Sequence, residues 1–249
     1  MHVLAFGELQ SELWGVSWLP GGDSVTRLAL RAGAASVGFE VELHAGADDE
    51  PWRLKGDGVS LEFTPTSKPG QGRDEELTTQ GQLCEVSGQV LLEGREIGVR
   101  CLGWRGTSGG GPDLGQLDSF RFLAGWPETA FGFSLLALRP RRARGHEADN
   151  VAAVVIEDPP VRPVVDPRLS TTYTDAGLPR RAGLELWLEE EEDEGEAGGS
   201  AQYPRRAAGE VVAPGLDWNQ GEFALHASLL RWHSHGREGP GVYVLGQHQ

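Results

Sequence analysis

The chain has 249 residues, a formal net charge of -15 and two cysteines, and no apolar run long enough to cross a bilayer. That length allows one large β domain or two small ones, and the acidic balance excludes non-specific nucleic-acid binding, which needs a positive surface to displace counterions. No basic region precedes an apolar stretch at the start, so no signal peptide is expected, and two cysteines point to free thiols in a reducing cytoplasm.

From the N-terminus, VLAFGEL and ELWGVSWLP predict two short strands around a Gln10–Ser11 turn, with Trp14, Val16 and Trp18 sharing a face as core or pocket wall. Pro20-Gly21-Gly22-Asp23 is turn chemistry. Val25–Ala32 and Ser36–Ala45 form the next pair. In the second of these, Val37, Phe39, Val41 and Leu43 alternate with Gly38, Glu40, Glu42 and His44. Glu40, Glu42 and His44 have the spacing of a ligand set, but the alternation makes them the solvated face of an antiparallel sheet. Trp52–Lys55 and Val59–Thr64 bracket a Gly56-Asp57-Gly58 turn, and Pro65–Thr79 is polar enough to predict a long surface loop.

Leu83 to Trp104 is the clearest stretch. Cys84, Val86, Val90 and Leu92 alternate with polar residues, then Ile97, Val99 and Cys101 do the same after Glu93-Gly94. A two-residue turn sets Val90 against Ile97 and Val86 against Cys101, so the apolar faces coincide; a slip of one residue would bury Glu96. Arg100 and Trp104 stand on the other face. The pattern Gly98-x-Arg100-x-x-x-Trp104 resembles the central motif of the hydroxyneurosporene synthase/AttH-like family, which reads Gly-x-Arg-Asp-His-x-Trp-Gly. The later stretch TTYTDAGLPRRAGLELWL resembles that family's C-terminal half. The resemblance implies a lipocalin-like fold and an apolar ligand of the kind met in carotenoid hydration and related natural-product pathways. Cys101 and Leu102 replace the family's Asp and His, and Arg105 replaces its Gly, so the scaffold residues are kept and the proton-transfer pair is not.

Gly106–Pro112 lacks the spacing and lysine of a phosphate loop and is expected to be a mobile loop at a pocket mouth. Asp118, Phe120, Phe122, Ala124 and Trp126 then share one strand face, either core or the wall of a pocket. Phe131–Leu138 and Val151–Ile156 are near-continuous apolar strands joined through a basic PRRARG loop. Arg168–Tyr173, Ala182–Leu188, Tyr203–Ala213, Glu222–His235 and a terminal VYVL complete the strands. Glu189–Glu196, seven acids and one glycine, reads with Gly198–Ser200 as a solvated, disordered loop over 189–200. His233 and His235 lack a third metal ligand and read as a surface pair.

Strands every eight to fifteen residues, with no sustained helical period, predict an all-β antiparallel lipocalin-like barrel or sandwich. Two packed halves, 1–128 and 129–249, fit the length. Neither a metal nor another cofactor is expected, since the zinc, nucleotide and hydrolase spacings all fail. A barrel pocket for an apolar isoprenoid- or polyketide-like small molecule is the leading expectation. Its wall is drawn from Arg100, Trp104, Phe120, Phe122 and Trp126. Hydratase, cyclase or isomerase chemistry is the alternative, with Asp118 as proton donor in a dry pocket and Trp104 facing the cation. A non-catalytic β domain for a protein partner is the third.

Overall fold

A period of two through most of the chain becomes eighteen β-strands in the computed structural model, which describes residues 1–21, 24–145, 148–158, 160, 163–189 and 203–249. The expected turn at 20–23 lies partly outside these residues, as does nearly all of the acidic stretch 189–200. The first nine strands are β1 (His2–Gly7), β2 (Leu13–Leu19), β3 (Val25–Ala32), β4 (Ala35–His44), β5 (Trp52–Gly56), β6 (Val59–Pro65), β7 (Gly70–Arg73), β8 (Leu77–Leu92) and β9 (Arg95–Gly110). They form one antiparallel sheet in the order β6-β5-β4-β3-β2-β1-β9-β8-β7, and an extra β6–β8 pairing closes it into an eight-strand barrel.

The second set is β10 (Leu117–Glu128), β11 (Phe131–Pro140), β12 (Asn150–Ile156), β13 (Val164–Tyr173), β14 (Pro179–Leu188), β15 (Arg205–Val211), β16 (Leu216–Gln220), β17 (Phe223–Ser234) and β18 (Arg237–His248). Its order is β12-β11-β10-β18-β17-β15-β14-β13, with β16 paired to β17, so this barrel stays unzipped between β12 and β13. The chain is therefore all-β with two lipocalin-like halves. The aromatic strand β10, which a boundary at residue 128 assigns to the first half, is hydrogen-bonded between β11 and β18 in the second. The division falls between Gly110 and Leu117.

The hairpin has the expected register, Val86 opposite Cys101 and Val90 opposite Ile97. Glu93 and Gly94 take φ of 50° and 77°, the left-handed pair that lets a two-residue turn follow the twist of its strands. The hairpin is longer than the alternation suggests, because its far end trades apolar side chains for backbone pairing. Beyond Leu83 the polar Leu77–Gln82 stretch continues β8, and Arg105–Gly110 continues β9 against it. Residues expected as the 65–79 loop thus contain β7 and the start of β8, and most of the glycine-rich mouth loop is strand. β8 changes partner along its length: Cys84–Val90 pairs with β6, and Thr78–Gly81 pairs with β7.

Side chains pack in three layers. Leu54, Leu61, Phe6, Phe63, Val86 and Val90 fill the first barrel, and Leu123, Phe133, Leu135, Trp232 and Tyr243 fill the second. Between the barrels lies a third core, in which Trp14, Val16, Trp18 and Trp104 face outward from the first barrel. They meet Phe120, Phe122, Ala124 and Trp126 of β10, with Phe223, Leu225 and Ala227 of β17. Strands with both faces apolar, such as β10 and β17, follow from this arrangement: one face lines a barrel and the other meets the neighbouring barrel.

The open edge of β12 is covered by the first half. A Cβ on Gly72 would lie 2.0 Å from the carbonyl oxygen of Ala153, so β7 runs backbone against backbone along β12, and only glycine permits it. Just beyond β7, Asp74 accepts the Val151 N–H through Oδ2 at 3.0 Å, satisfying an edge donor of β12.

Candidate functional site

The aromatic residues expected to line a ligand pocket are brought together as solid interface. The Phe120 ring stacks on Trp18 with centroids 4.8 Å apart and meets Phe223 edge-on at 5.6 Å. Trp126 donates its indole N–H to the Gly7 carbonyl at 3.3 Å, across the two halves. Trp104 is wholly buried, with Gly81 so close that a Cβ there would sit 2.0 Å from its ring. The space left beside Trp104 and Phe122 is about 10 Å³, at most the room of one water. Arg100 and Asp118 are not part of this cluster. Both are exposed, Arg100 on the ladder opposite Ser87 and Asp118 at the start of β10. A proton donor that depends on a water-poor pocket does not find one at Asp118.

A shallow cleft of about 520 Å³ lies on the second barrel around Arg168, Arg206 and His233, and two adjoining clefts lie at the seam where the first half crosses the unzipped edge of the second. One cleft of about 830 Å³ is walled by Gln71–Glu75 and Thr78–Gln80 of the β7–β8 turn, Thr107–Gly109 of β9, Pro163–Val165 and Glu189. An adjoining cleft of about 580 Å³ has Thr66–Gln71, Thr129, Ala130, Val155–Asp158 and Pro160 around it. Gln71, Pro163 and Val164 belong to both, so the two meet at the start of β13. Val165, on the wall of the larger cleft, is 57% exposed. The larger cleft was hidden in the sequence because most of its wall comes from polar stretches that read as loops. Their strand character depends on partners far away in the chain.

Arg105, which stands where the resembling motif has glycine, seals one mouth of the first barrel. It is 1% exposed. Its Nε donates to Gln82 Oε1 at 2.8 Å, Nη1 to the Glu50 carbonyl at 2.5 Å, and Nη2 to the Asp48 carbonyl and to Gln82. Its guanidinium also lies 4.9 Å over the Trp52 ring. Burial lowers the pKa of the guanidinium, and the nearby Cys84, Asp48 and Asp49 oppose that shift. The side chain acts as a plug that ties down the 47–50 loop. Cys84 and Cys101 are free, and burial pushes each thiol up to about 12.

A second polar constellation escaped the sequence reading. Asp217, on β16, sits opposite His226 of β17 and approaches His226 Nδ1 at 2.7 Å, while His226 Nε2 lies 3.0 Å from Ser228 Oγ. With Nδ1–H donating to the carboxylate, Nε2 accepts from the serine, the connectivity of a nucleophile, base and orienting acid. Catalysis also needs room for a reacting carbon beside the serine. Ser228 is 1% exposed, and Gly215 is pressed onto the imidazole so tightly that a Cβ would lie 2.2 Å from Cε1. The trio is a hydrogen-bond chain in which the exposed Asp217 carboxylate satisfies the buried His226, and His226 the buried Ser228. His and Ser separated by one residue on an apolar strand was the available signal; Asp217 could be added only once β16 was known to pair there.

Among the described residues, no three or more His, Cys, Asp or Glu side chains are placed to hold a metal ion, and no helix is long and apolar enough to cross a membrane. His233 pairs with Glu238 at 3.4 Å, and His235 occupies the following turn with φ of 49°.

No protein-family model matches the chain, and no curated protein does either. Solved structures do. Kievitone hydratase from Nectria haematococca superposes with a TM-score of 0.58 at 7% identity, over 99% of this chain and 88% of its own. An AttH protein from Nitrosomonas europaea gives 0.57 at 8% identity, over 99% and 91%. CghA gives 0.55 at 9% identity, over 100% and 88%. The whole two-barrel arrangement is therefore the AttH-like, lipocalin-like fold. At these identities the likeness extends to the fold alone.

Proposed function

We propose that the protein binds a small molecule with an apolar skeleton in the seam cleft, the two filled barrels serving as its rigid walls. The observation that carries this reading is the location of open space: both barrel interiors are occupied by their own side chains, whereas clefts of about 830 and 580 Å³ adjoin at the crossing of the halves. Volumes of this size suit one small organic ligand, and a position between two packed units is where such sites recur. Two free thiols are in keeping with a reducing, intracellular setting.

Hydratase, cyclase or isomerase action on the bound molecule is the second reading, favoured by the fold shared with a hydratase. In that case the proton would come from an acid facing the cleft; Asp74, Glu75, Glu157, Asp158 and Glu189 line it, and Asp74 and Glu157 are half-buried where the other three are exposed, as Asp118 is. Asp118 would have to act from outside the cleft.

The test is organic extraction of the purified protein with mass spectrometry of the extract, followed by titration with whatever is released and with a panel of polyenes and polycyclic phenols. Ala130→Trp and Ser108→Trp, which place a ring in each cleft, should each weaken binding at least tenfold with the melting temperature little changed. Binding that ignores both substitutions would move the site away from the seam. If nothing is extracted and no panel member binds, the small-molecule reading fails.

A further inference from the structure

The two parts of the seam cleft share a mixed polar and apolar lining but differ in the pairing of their carboxylates, and that difference bears on what can occupy them. Around the smaller part, which shares Pro163 and Val164 with the larger, Pro69, Ala130, Val155 and Ile156 supply hydrocarbon beside the hydroxyls of Thr66, Ser67 and Thr129. Its carboxylate Glu157 is already held by Arg205, with Nε at 3.0 Å and Nη2 at 3.1 Å, while Lys68 and Asp158 stand exposed at its margin. Around the larger part, Thr78, Gln80 and Ser108 present hydroxyl and amide groups, and among the described residues of its lining Asp74, Glu75 and Glu189 outnumber one cation, Arg73. Among the described residues Glu75 and Glu189 make no ion pair, while Asp74 already accepts the Val151 N–H through Oδ2 and the Glu75 N–H through Oδ1.

Building on the seam as the binding site, we infer that its ligand is two-ended. A hydrocarbon portion lies against Val155, Ile156 and Pro163, and a polar end that is rich in hydrogen-bond donors and carries no negative charge lies among Thr78, Gln80, Glu75 and Glu189. Hydroxylated, glycosylated or amine-bearing apolar molecules meet that description; carboxylic acids and phosphate esters do not. Carboxylates are acceptors only, so a ligand donor satisfies them where a ligand carboxylate would face like charge and leave both partners without a proton to share. Hydroxyls and amides of Thr78, Ser108 and Gln80 can accept from the same end.

Three amphiphiles with one chain length separate the possibilities below their micelle concentrations: octyl glucoside, octylammonium and octanoate, titrated calorimetrically at low ionic strength. Glucoside and ammonium should bind at least tenfold more tightly than octanoate. The double variant Glu75→Gln/Glu189→Gln should bring octanoate to within about threefold of the glucoside, because it removes charge while keeping shape. Added salt should erode the ammonium preference and leave the glucoside affinity in place. Octanoate binding as tightly as the glucoside, or an order of affinities unmoved by the double variant, overturns the inference while leaving the seam as the site. Failure of all three to bind, together with failure of the polycyclic panel, is the result that removes the seam itself.

Discussion

The interface between the barrels should be the chain's main source of cooperativity, and Phe120 tests it. Its ring is 1% exposed, stacked at 4.8 Å on Trp18 of the first barrel and 5.6 Å from Phe223 of the second. Phe120→Ala removes a fully buried ring from a core whose neighbours belong to a closed sheet on one side and a long strand on the other, so little collapse can follow. The expected loss is about 3–5 kcal/mol, the range for deleting buried aromatics. The stacking itself should appear as a coupling of roughly 0.5–1.5 kcal/mol between Trp18→Ala and Phe120→Ala in a double-mutant cycle. Urea unfolding followed by tryptophan fluorescence and by far-ultraviolet circular dichroism measures both quantities. Coincident transitions are expected for the wild type and all three variants, because the shared core links the halves. A coupling indistinguishable from zero, or a Phe120→Ala protein whose first half melts where it did before while the second half melts early, would refute the idea of one core binding two barrels.

Three other outcomes can be checked directly. Val90→Asp, at a position 1% exposed inside the first barrel, should cost on the order of 3 kcal/mol or more in the same melts, whereas Gln89→Asp, exposed one residue away, should stay within about 1 kcal/mol. Cys84 and Cys101, with thiols pushed up to about 12 from 9.0, should resist a disulfide reagent at pH 8 and react fully after denaturation. Because the folded state then holds protons that the unfolded chain releases, these two groups should stabilise the fold fully below pH 9, and that contribution should be lost progressively as pH rises toward 12. A fluorophosphonate probe should leave native Ser228 unlabelled despite its bond to His226; rapid labelling there would show that the trio is reachable and reactive.

What the sequence made legible was local alternation and what depends on it. The register of the central hairpin followed from four residues, since only one pairing puts Val86, Val90, Ile97 and Cys101 on a common face. Which barrel face each aromatic strand would present was not legible, because an apolar stripe looks alike whether it lines a cavity, fills a barrel or meets another barrel. Phe120, Phe122 and Trp126 could be identified as buried but not as buried against Trp18 and Trp104. The ends of β8 and β9 were illegible for the opposite reason. Gly106, Gly109 and Thr78 carry no apolar pattern, and their extended conformation is imposed by ladder partners and by β7. Thr78 and Gly109 line the larger seam cleft, so that part of the candidate site was hidden where the pattern was weakest. The resemblance centred on Arg100 and Trp104 led to the right fold, while those two side chains separated, one to solvent and one to the interface.

The way β7 lies along β12 also decides how this chain can be taken apart. A fragment starting at Leu117 would retain every strand of the second barrel yet lose the cover of β12, exposing a row of unpaired backbone donors and acceptors beside the bared Phe120–Trp126 face. Such an edge recruits other strands, and its natural recruits are further copies of the same fragment. Separately produced halves should therefore be insoluble alone and recoverable only when made together, the first half acting toward the second as a built-in chaperone. The same constraint applies to the ribosome: the half synthesised first is the closed barrel that supplies the cover, so the exposed edge emerges into the presence of its own protector.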